Sequence, residues 1–557
     1  MLRPILDLGI FFSRHTFLTF ALGLALWRVL STPRLSRVRA RLGLTTYTRG
    51  WMRSGAIVLL GLFLAIGVWY QQLDGFAGEV EPLVSSVSWL LQEGAPLYHG
   101  LDSPDRYSVL YGPSVFLTNG LFLELLGPSL YSAKVASFLA GLGSLFLICG
   151  ALARPGKSTV AVGVSGLAVL LYWSQGFAVY LVRPDALLLF AVAMAMFCAA
   201  RVRVGLAVVA MGVLLGFGAN LKIHAFLYFM PAFGILAGRA RWPALLQALV
   251  LGGVVTLAPF LLYPQISLTN YLDWLRNAMA HGVDLGSDLG CVQYGSLLVL
   301  PLVVALIWHP HRRNWILRHR GVLWLTALAM VGTYFFAAKP GAGVVHYLPF
   351  VPVTLYLAGL VASEVSLDSI RDRPRVYTGL IPAMMLAVLV TGGVHVYRSV
   401  KLVNWQVNQA PGLAADVQQI MDTYPDMKIA MACGGENSKF RATWVRPLLV
   451  YRDNPLFIDP IAVMDNCLAG RPMPEMTYTE MGSGRVAVWL VPRDAEPFAK
   501  ENWYPPHDQI FDQRFQAEFH SHYTPRTRSR YFDLWFWNGL PEEMSDELIY
   551  AAREPGP

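Results

Sequence analysis

Long apolar runs separated by short polar breaks recur between residues 54 and 397. A helix needs about 20 mostly apolar residues to cross the hydrocarbon core of a bilayer. The pattern therefore predicts an all-α polytopic membrane bundle of about eleven transmembrane helices. The predicted spans are residues 54–70, 133–153, 158–174, 184–200, 204–219, 223–237, 243–263, 294–308, 321–338, 348–362 and 376–397.

The chain before the first predicted span has a different pattern. Residues 1–53 are rich in arginine and poor in acids, which predicts a basic cytoplasmic or interfacial segment. Within it, the apolar run Thr16–Leu30 is short for a membrane span. We expect this run to lie in the membrane interface as a helix, with a crossing of residues 5–30 as the open alternative.

The composition changes again at residue 398. Apolar runs shorten to the length of β-strands, and Pro, Asp, Glu, Asn and Arg become common. A helical pattern followed by several short strands predicts a small soluble α/β domain over residues 398–557. Two of its residues, Cys433 and Cys467, could form a disulfide if the domain lies outside the cytoplasm. The predicted helix is Leu413–Tyr424, and the predicted strands are Lys428–Ala432, Leu456–Ile458, Arg485–Val491 and Tyr531–Phe536.

Composition supports the membrane assignment. Of the 557 residues, 55% are hydrophobic and 14% charged, and the mean hydropathy is +0.45, whereas soluble domains carry roughly 25% charged residues. The net charge of +8 does not indicate nucleic-acid binding, because the arginines cluster in short loops where the positive-inside rule explains them. These clusters are Arg28 to Arg53 (with Arg34, Arg37, Arg39, Arg41 and Arg49), Arg154 with Lys157, Arg201 with Arg203, Arg239 with Arg241, Arg312 to Arg320, and Arg371 with Arg373.

The basic clusters also predict sidedness. If each of them is cytoplasmic, the breaks at 71–112, 175–183, 220–222, 264–293 and 339–347 lie on the outer side. This alternation requires the short run Ser114–Leu126 to be a re-entrant or surface helix. An odd number of spans then places residues 398–557 outside, which predicts a multi-pass membrane protein whose C-terminal domain lies in the periplasm or its equivalent.

The first outer loop, residues 71–112, is long and rich in acids. Long loops in compact folds are usually functional or disordered, and an amphipathic helical pattern at Val84, Val87, Leu90 and Leu91 argues against disorder. We therefore expect this loop to supply the acids of an active site. Its acids are Asp74, Glu79, Glu81, Glu93, Asp102 and Asp105.

Cationic and aromatic residues occupy the outer ends of other predicted spans. Cations neutralise phosphate oxygens and stabilise a phosphate leaving group, and a carboxylate can remove the proton of an acceptor hydroxyl. Acids and cations at one membrane surface are therefore suited to a reaction on a phosphate-linked substrate. The outer-end residues are Arg183, Asp185, Asn220, Lys222, His224, Lys339, His346 and Tyr347.

Four short motifs occur in a recognisable order. They are Gly94-Ala95-Pro96-Leu97-Tyr98 after the amphipathic helix, Tyr111-Gly112-Pro113 before the next helix, Arg183-Pro184-Asp185 at the head of a span, and Lys339 to Pro349 (KPGAGVVHYLP). Together they resemble the bacterial GT-C glycosyltransferases, in particular those related to protein mannosyltransferases and aminoarabinose transferases, over about residues 54–397.

The resemblance implies a function. The expected reaction is inverting transfer of a sugar from a polyprenyl-phosphate donor to a hydroxyl of a lipid or glycan acceptor in the cell envelope. The expected architecture is a helical bundle with a catalytic outer loop (71–112) and a soluble outer domain. The expected partners are the lipid-linked donor, the acceptor and the bilayer, without nucleic acid.

The resemblance also implies residue roles. The catalytic acid falls on Glu81 or Glu79, and Asp185 matches a second acid that supports acceptor or metal binding. Some relatives carry an acidic-basic pair that helps to bind a divalent cation where this chain has Leu110-Tyr111-Gly112, so a metal requirement stays open. The expected donor-phosphate residues are Arg183, Lys222, Lys339, His346 and Tyr347.

Two other classes compete with this interpretation. A transporter or lipid flippase is expected to carry ionisable residues at the bilayer midplane and often a repeated architecture, and the sequence shows neither. A polymerase or ligase that uses a polyprenyl-pyrophosphate donor would also have an outer site rich in arginine. The donor that is accepted, a monophosphate or a pyrophosphate, distinguishes the expected glycosyltransferase from this polymerase or ligase.

Overall fold

The computed structural model describes residues 2–30, 32, 49–155, 158–282, 285–365, 379–504 and 507–540. Several of the basic residues that predict the sidedness lie outside these ranges: Arg34, Arg37, Arg39, Arg41, Lys157, Arg371 and Arg373.

The described chain up to Thr423 is helical, as the apolar runs predict. Short 3₁₀ helices at Ile223–Ala225 and Val344–Phe350 precede two of the α-helices. The α-helices are α1 Leu2–Arg14, α2 Thr16–Leu30, α3 Arg49–Gln71, α4 Val80–Gln92, α5 Pro113–Leu126, α6 Leu130–Leu152, α7 Ser158–Trp173, α8 Pro184–Arg201, α9 Val204–Ala219, α10 Phe226–Ala237, α11 Trp242–Leu262, α12 Leu268–Met279, α13 Leu285–Trp308, α14 Arg312–Ala337, α15 Val351–Glu364 and α16 Leu380–Thr423.

Eight helices in the described part of the chain are long and apolar enough to cross a membrane, or nine if α1 and α2, bent by 107°, form one span. Each of the eight overlaps one of the predicted spans, and most of them extend beyond its predicted bounds. The other three predicted spans are α7, α9 and α10, of 16, 16 and 12 residues. A 16-residue helix extends about 24 Å, less than the hydrocarbon thickness of about 30 Å. The chain is thus a multi-pass helical membrane protein, but the predicted number of eleven spans is not confirmed.

Glycines allow several helices of the bundle to approach closely. A Cβ atom added to Gly216 of α9 would lie 2.6 Å from the carbonyl oxygen of Gly252 in α11. One added to Gly166 of α7 would lie 2.7 Å from the Cα of Ala56 in α3. Small residues at such crossings increase van der Waals contact between helices in lipid, so the bundle is held by backbone proximity as well as by apolar burial.

Helix α16 joins the bundle to the soluble domain. Its 44 residues extend about 66 Å, roughly twice the thickness of the hydrocarbon core. Its last turns present Leu413, Val417 and Ile420 to the core of the soluble domain. The predicted boundary at 397/398 therefore falls inside one continuous helix, and the predicted helix Leu413–Tyr424 is the end of α16.

The soluble domain contains a four-stranded mixed sheet in the order β1-β2-β4-β3. β1 and β2 are parallel, and the other pairs are antiparallel. Three predicted strands are confirmed, whereas Leu456–Ile458 forms only one bridge, to Arg106. Prediction missed β3 because its residues are mostly exposed and polar. The elements are β1 Ile429–Met431, α17 Asn437–Ala442, α18 Pro447–Val450, α19 Pro460–Leu468, α20 Glu475–Gly482, β2 Val488–Pro492, α21 Gln513–His522, β3 Tyr523–Arg528 and β4 Phe532–Trp537.

The two cysteines of the soluble domain are free thiols. Cys433 is buried at the end of β1, and the thiol of Cys467 lies 3.2 Å from the carbonyl oxygen of Ile510, to which it donates. The disulfide considered from the sequence is therefore not formed.

The soluble domain docks on the outer loop through backbone as well as side chains. The amide of Arg106 donates to Phe457 at 2.8 Å, and the amide of Asp459 donates back to the carbonyl oxygen of Arg106 at 2.8 Å. Nearby, Arg485 pairs with Asp105 at 2.8 Å. Because the bridge fixes the two segments in register, the start of α19 has a defined position against the loop.

Candidate functional site

The predicted amphipathic helix of the outer loop is α4, whose Val84, Val87 and Leu91 are buried. Helix α5, of 14 residues, packs against both α4 and α6. It spans about 21 Å, too short for the hydrocarbon core and compatible with the expected re-entrant or surface helix.

Glu81, in the first turn of α4, is fully buried. Its carboxylate accepts hydrogen bonds from the hydroxyl of Tyr70 at 2.8 Å and the amides of Ala77 at 2.9 Å, Gly78 at 2.8 Å and Val182 at 2.7 Å. Burial raises the pKa of Glu81, against the lowering effect of these hydrogen bonds. The carboxylate therefore holds together the end of α3, the start of the loop and the segment before α8.

Glu79 lies two residues earlier and has a different environment. It is half-buried, and its side chain does not cap α4. Its charge acts on Arg183 and on Tyr111. Of the two candidate acids in this loop, Glu79 is the one with solvent access beside the cationic residues.

Asp185 is the centre of a buried ionic cluster. It begins α8 after Pro184, whose fixed φ suits the first helical position. One carboxylate oxygen lies 2.7 Å from the Nζ of Lys222, and the other lies 3.2 Å from the Nε of Arg183. The Asp185 side chain is 1% exposed, that of Lys222 6% and that of Arg183 18%. Two cations thus face one carboxylate, and Arg183 reaches solvent.

The turn Tyr111-Gly112-Pro113 brings the outer loop against this cluster. The amide of Gly112 donates to Leu221 at 3.2 Å, and that of Ser114 donates to Asn220 at 2.9 Å. A Cβ atom on Gly112 would collide with the carbonyl oxygen of Asn220. Glycine is therefore required at this position for close approach of the backbones, which places Tyr111 beside the segment that carries Lys222.

Tyr111 lies between the charged groups. Burial raises the pKa of its hydroxyl to about 12; Arg183 lowers this pKa, while Asp185, Asp465 and Glu79 raise it. The charges of three carboxylates and one guanidinium, from three separate parts of the chain, thus act on this phenol. The sequence indicated the turn but gave no role to Tyr111.

Two histidines lie near the Asp185 cluster. The rings of His224 and His346 stack with centroids 5.1 Å apart, and His224 also stacks on Phe336 at 4.5 Å. Both histidines are buried, and in the described part of the chain the Nε2 of His224 and the Nδ1 of His346 have no hydrogen-bond partner. These nitrogens are therefore available to a polar group.

Two other predicted donor residues point elsewhere. The Nζ of Lys339 lies 3.4 Å from the carbonyl oxygen of Ala278 in α12, and the hydroxyl of Tyr347 donates to Met330 at 3.2 Å. Among the described residues, no hydrogen bond or ion pair joins either side chain to the Asp185 cluster.

Within the described ranges, no three His, Cys, Asp or Glu side chains are grouped as metal ligands. Asp185, the acid expected to support acceptor or metal binding, pairs with two cationic side chains instead.

Lys134 is a structural residue that the sequence analysis did not single out. It lies buried in α6, where its ammonium donates to the carbonyl oxygens of Tyr70 at 3.2 Å and Leu73 at 2.6 Å. An ionisable residue inside an apolar run is expensive to bury and usually has a specific partner, and that signal could have identified it. Its contacts cap α3 next to Glu81.

Comparison with known proteins identifies the fold. No family model matches the chain, and no curated protein matches it in sequence. Among solved structures, ArnT from Cupriavidus metallidurans bound to undecaprenyl phosphate superposes with a TM-score of 0.52 at 13% identity, over 85% of this chain and 97% of that chain. The apo state of the same protein gives 0.52 at 15% identity, over 86% and 98%. The Archaeoglobus fulgidus oligosaccharyltransferase superposes less well, with a TM-score of 0.42 at 10% identity, over 78% of this chain and 69% of that chain.

The class of protein follows from the bundle and its soluble domain. The chain shares the fold of ArnT, a helical membrane bundle with a C-terminal sheet domain of the GT-C type. The resemblance expected from the motifs is confirmed at this level, and identities this low establish the fold alone.

Proposed function

We propose that this chain is a glycosyltransferase of a bacterial inner membrane that transfers a sugar, with inversion, from a polyprenyl-phosphate donor to an acceptor hydroxyl on the periplasmic side. The observation that carries the proposal is the juxtaposition, within a GT-C fold, of an accessible carboxylate and a cluster with excess positive charge. The ArnT structure bound to undecaprenyl phosphate supports a polyprenyl monophosphate as the lipid carrier.

The proposed reaction is a single displacement. Glu79 removes the proton of the acceptor hydroxyl as its oxygen attacks the anomeric carbon of the sugar. The bond from that carbon to the phosphate oxygen breaks, and its electron pair leaves with the phosphate. Glu81 remains the alternative base, but its carboxylate already accepts four donors, so we assign it to positioning.

The cationic cluster fits the leaving group. A polyprenyl-phosphate sugar is a phosphodiester with one negative charge, and its product is a phosphate monoester with about one more. Arg183 and Lys222, only partly neutralised by Asp185, therefore interact more strongly with the product-like transition state than with the donor. Asp185 keeps both cations in place and contributes indirectly to acceptor binding.

The remaining predicted donor residues have weaker support. His346 presents an unpartnered buried nitrogen next to His224 and could donate a hydrogen bond to the phosphate. We place Lys339 and Tyr347 along the path of the donor, where their present partners, two backbone carbonyl oxygens, are exchangeable.

The test is a donor panel. The purified full chain, in lipid nanodiscs, is incubated with radiolabelled sugars on undecaprenyl monophosphate or undecaprenyl pyrophosphate, with a washed bacterial envelope fraction as acceptor. We expect label to enter the envelope fraction only from a monophosphate donor. Transfer from the pyrophosphate donors alone would replace the proposal with a ligase or polymerase, and protein-dependent donor movement across the bilayer without transfer would replace it with a flippase.

A further inference from the structure

The soluble domain contributes an acid to the rim of this site. Asp465 lies on α19, immediately after the bridge by which Ile458 pairs with Arg106 of the outer loop. The side chain of Asp459 caps α19 by accepting from the amide of Ile461 at 2.9 Å. The direction in which α19 leaves the bridge is therefore set by the outer loop and the cap together.

A second contact fixes α19 from the membrane side. The amide side chain of Asn277 in α12 donates to the carbonyl oxygen of the Asn466 side chain at 3.0 Å. The Nε2 of His281, just after α12, lies 2.9 Å from the backbone carbonyl oxygen of Asp465. With contacts to α12 on one side and to the outer loop on the other, the backbone at position 465 is held between two parts of the membrane domain.

The side chain of Asp465 lies close enough to Tyr111 for its charge to act on that hydroxyl. It is half-buried, and its charge acts on the hydroxyl of Tyr111 together with those of Glu79 and Asp185. Acids of the membrane domain and an acid of the soluble domain therefore act on the same hydroxyl, that of Tyr111.

The carboxyl group of Asp465 differs from those of Asp459 and Asp185 in its charge partners. No ion pair to a Lys, Arg or His is formed by Asp465 within the described residues, in contrast to Asp459 and Asp185. Burial, followed by the charge of Asp459, raises the pKa of Asp465 to about 7. A half-buried carboxylate without a partner is costly in a protein interior, and a hydroxyl donor would satisfy it.

We propose that Asp465 binds the acceptor, accepting a hydrogen bond from a hydroxyl of a polyhydroxylated glycan or lipid headgroup that enters between the soluble domain and Tyr111. This inference rests on the glycosyltransferase function proposed above and adds to it that the acceptor pocket is completed by the soluble domain. A site that offers a carboxylate to a hydroxyl discriminates strongly against ligands that lack the hydroxyl.

The proposal predicts a separation of acceptor and donor effects. With the donor and envelope fraction that support transfer by the natural chain, Asp465→Asn should raise the acceptor concentration for half-maximal rate by about tenfold or more. The corresponding donor concentration should stay unchanged, because Arg183 and Lys222 are untouched. Asp465→Glu should recover part of the acceptor affinity.

A pH profile supplies a second readout. The charged form of Asp465 is the stronger hydrogen-bond acceptor, so acceptor affinity should fall as the pH decreases through about 7 in the natural chain, and this dependence should be absent in Asp465→Asn. The titratable groups that face Asp465 are Asp459 on its own helix, Tyr111 on the outer loop and His281 after α12. His281 is present in both proteins, so a change in its protonation cannot account for a difference between them.

One control variant and two contrary results make the outcome decisive. Asp426→Asn changes an exposed aspartate of the same domain and should leave both half-saturating concentrations unchanged. Equal acceptor affinity in the natural chain and in Asp465→Asn, with transfer intact, would refute the role of Asp465 but not the proposed function. Absence of transfer by the natural chain from every monophosphate donor would refute both.

Discussion

Two buried carboxylates in this chain, Asp185 in the membrane domain and Asp459 in the soluble domain, have opposite charge environments. Asp459 pairs with one cation, Arg446, at 2.6 Å, and both side chains are almost fully buried. Asp185 is equally buried but faces two cations, one of which reaches solvent. The first group has one cation for one carboxylate, whereas Asp185 by itself neutralises its two cations only in part.

This difference in charge partners distinguishes a structural ion pair from a cluster that can bind a ligand. A balanced pair whose remaining oxygen caps a helix, as Asp459 caps α19, has no unsatisfied charge for a ligand. An unbalanced cluster at the rim of a bundle attracts an anion. Glu81 and Glu79 repeat the contrast within one loop, since one is saturated with donors and the other is accessible.

The largest effect on activity is expected at Glu79. Glu79→Gln should reduce transfer by about 10²–10⁴-fold, the usual contribution of a general base, without changing thermal stability or the binding of undecaprenyl phosphate. The measurement is the transfer rate with the donor identified by the panel. Glu93→Gln, at an exposed position of the same loop, is the matched control, and a Glu79→Gln protein with full activity would remove the base assignment.

The largest effect on stability is expected in the balanced pair. Arg446→Gln should lower the free energy of unfolding by about 3–5 kcal/mol, because Asp459 is left as an unpaired buried charge. Thermal unfolding monitored by tryptophan fluorescence measures this. Arg452→Gln, which removes an exposed pair with Asp422, should cost less than about 1 kcal/mol. Similar losses in the two variants would contradict the view of Arg446–Asp459 as a structural pair.

A substitution in the cluster of Asp185, Arg183 and Lys222 should instead reduce activity and leave stability nearly unchanged. Lys222→Met should lower kcat/KM by about 10²–10³-fold and weaken undecaprenyl phosphate binding, while the protein stays folded because Arg183 still pairs with Asp185. Lys428→Met, at an exposed lysine, serves as the control. Native mass spectrometry with undecaprenyl phosphate reports the binding, and unchanged binding in Lys222→Met would place the phosphate elsewhere.

The smallest effect is expected at Glu81. Glu81→Gln should reduce the free energy of unfolding by about 1–3 kcal/mol, because an amide cannot accept all the donors that now face the carboxylate. Transfer per folded molecule should fall far less than in Glu79→Gln. If instead Glu81→Gln abolished transfer with unchanged stability, the base would be Glu81 and the distinction drawn within this loop would be wrong.

Much of the site could be anticipated from local sequence. The Arg183-Pro184-Asp185 motif and Lys222 were assigned together because both fall at outer ends of apolar runs, and the structure joins them at hydrogen-bond distance. Lys339 and Tyr347 satisfy the same criterion but make other contacts. Position along a span predicts the depth of a side chain in the membrane; it does not predict which way around the bundle the side chain points.

The sequence by itself determined the helical bundle, the soluble α/β domain and the set of acids and cations at one end of the predicted spans. Apolar periodicity and charge are local properties, and they select secondary structure and membrane insertion directly. Only the tertiary structure decided that the carboxylate of Glu81 is saturated with donors, and that the charges of Glu79, Asp185 and Asp465 act on the same tyrosine, Tyr111. These features depend on contacts between distant segments, where burial and hydrogen-bond partners, rather than residue type, determine what an acid can do.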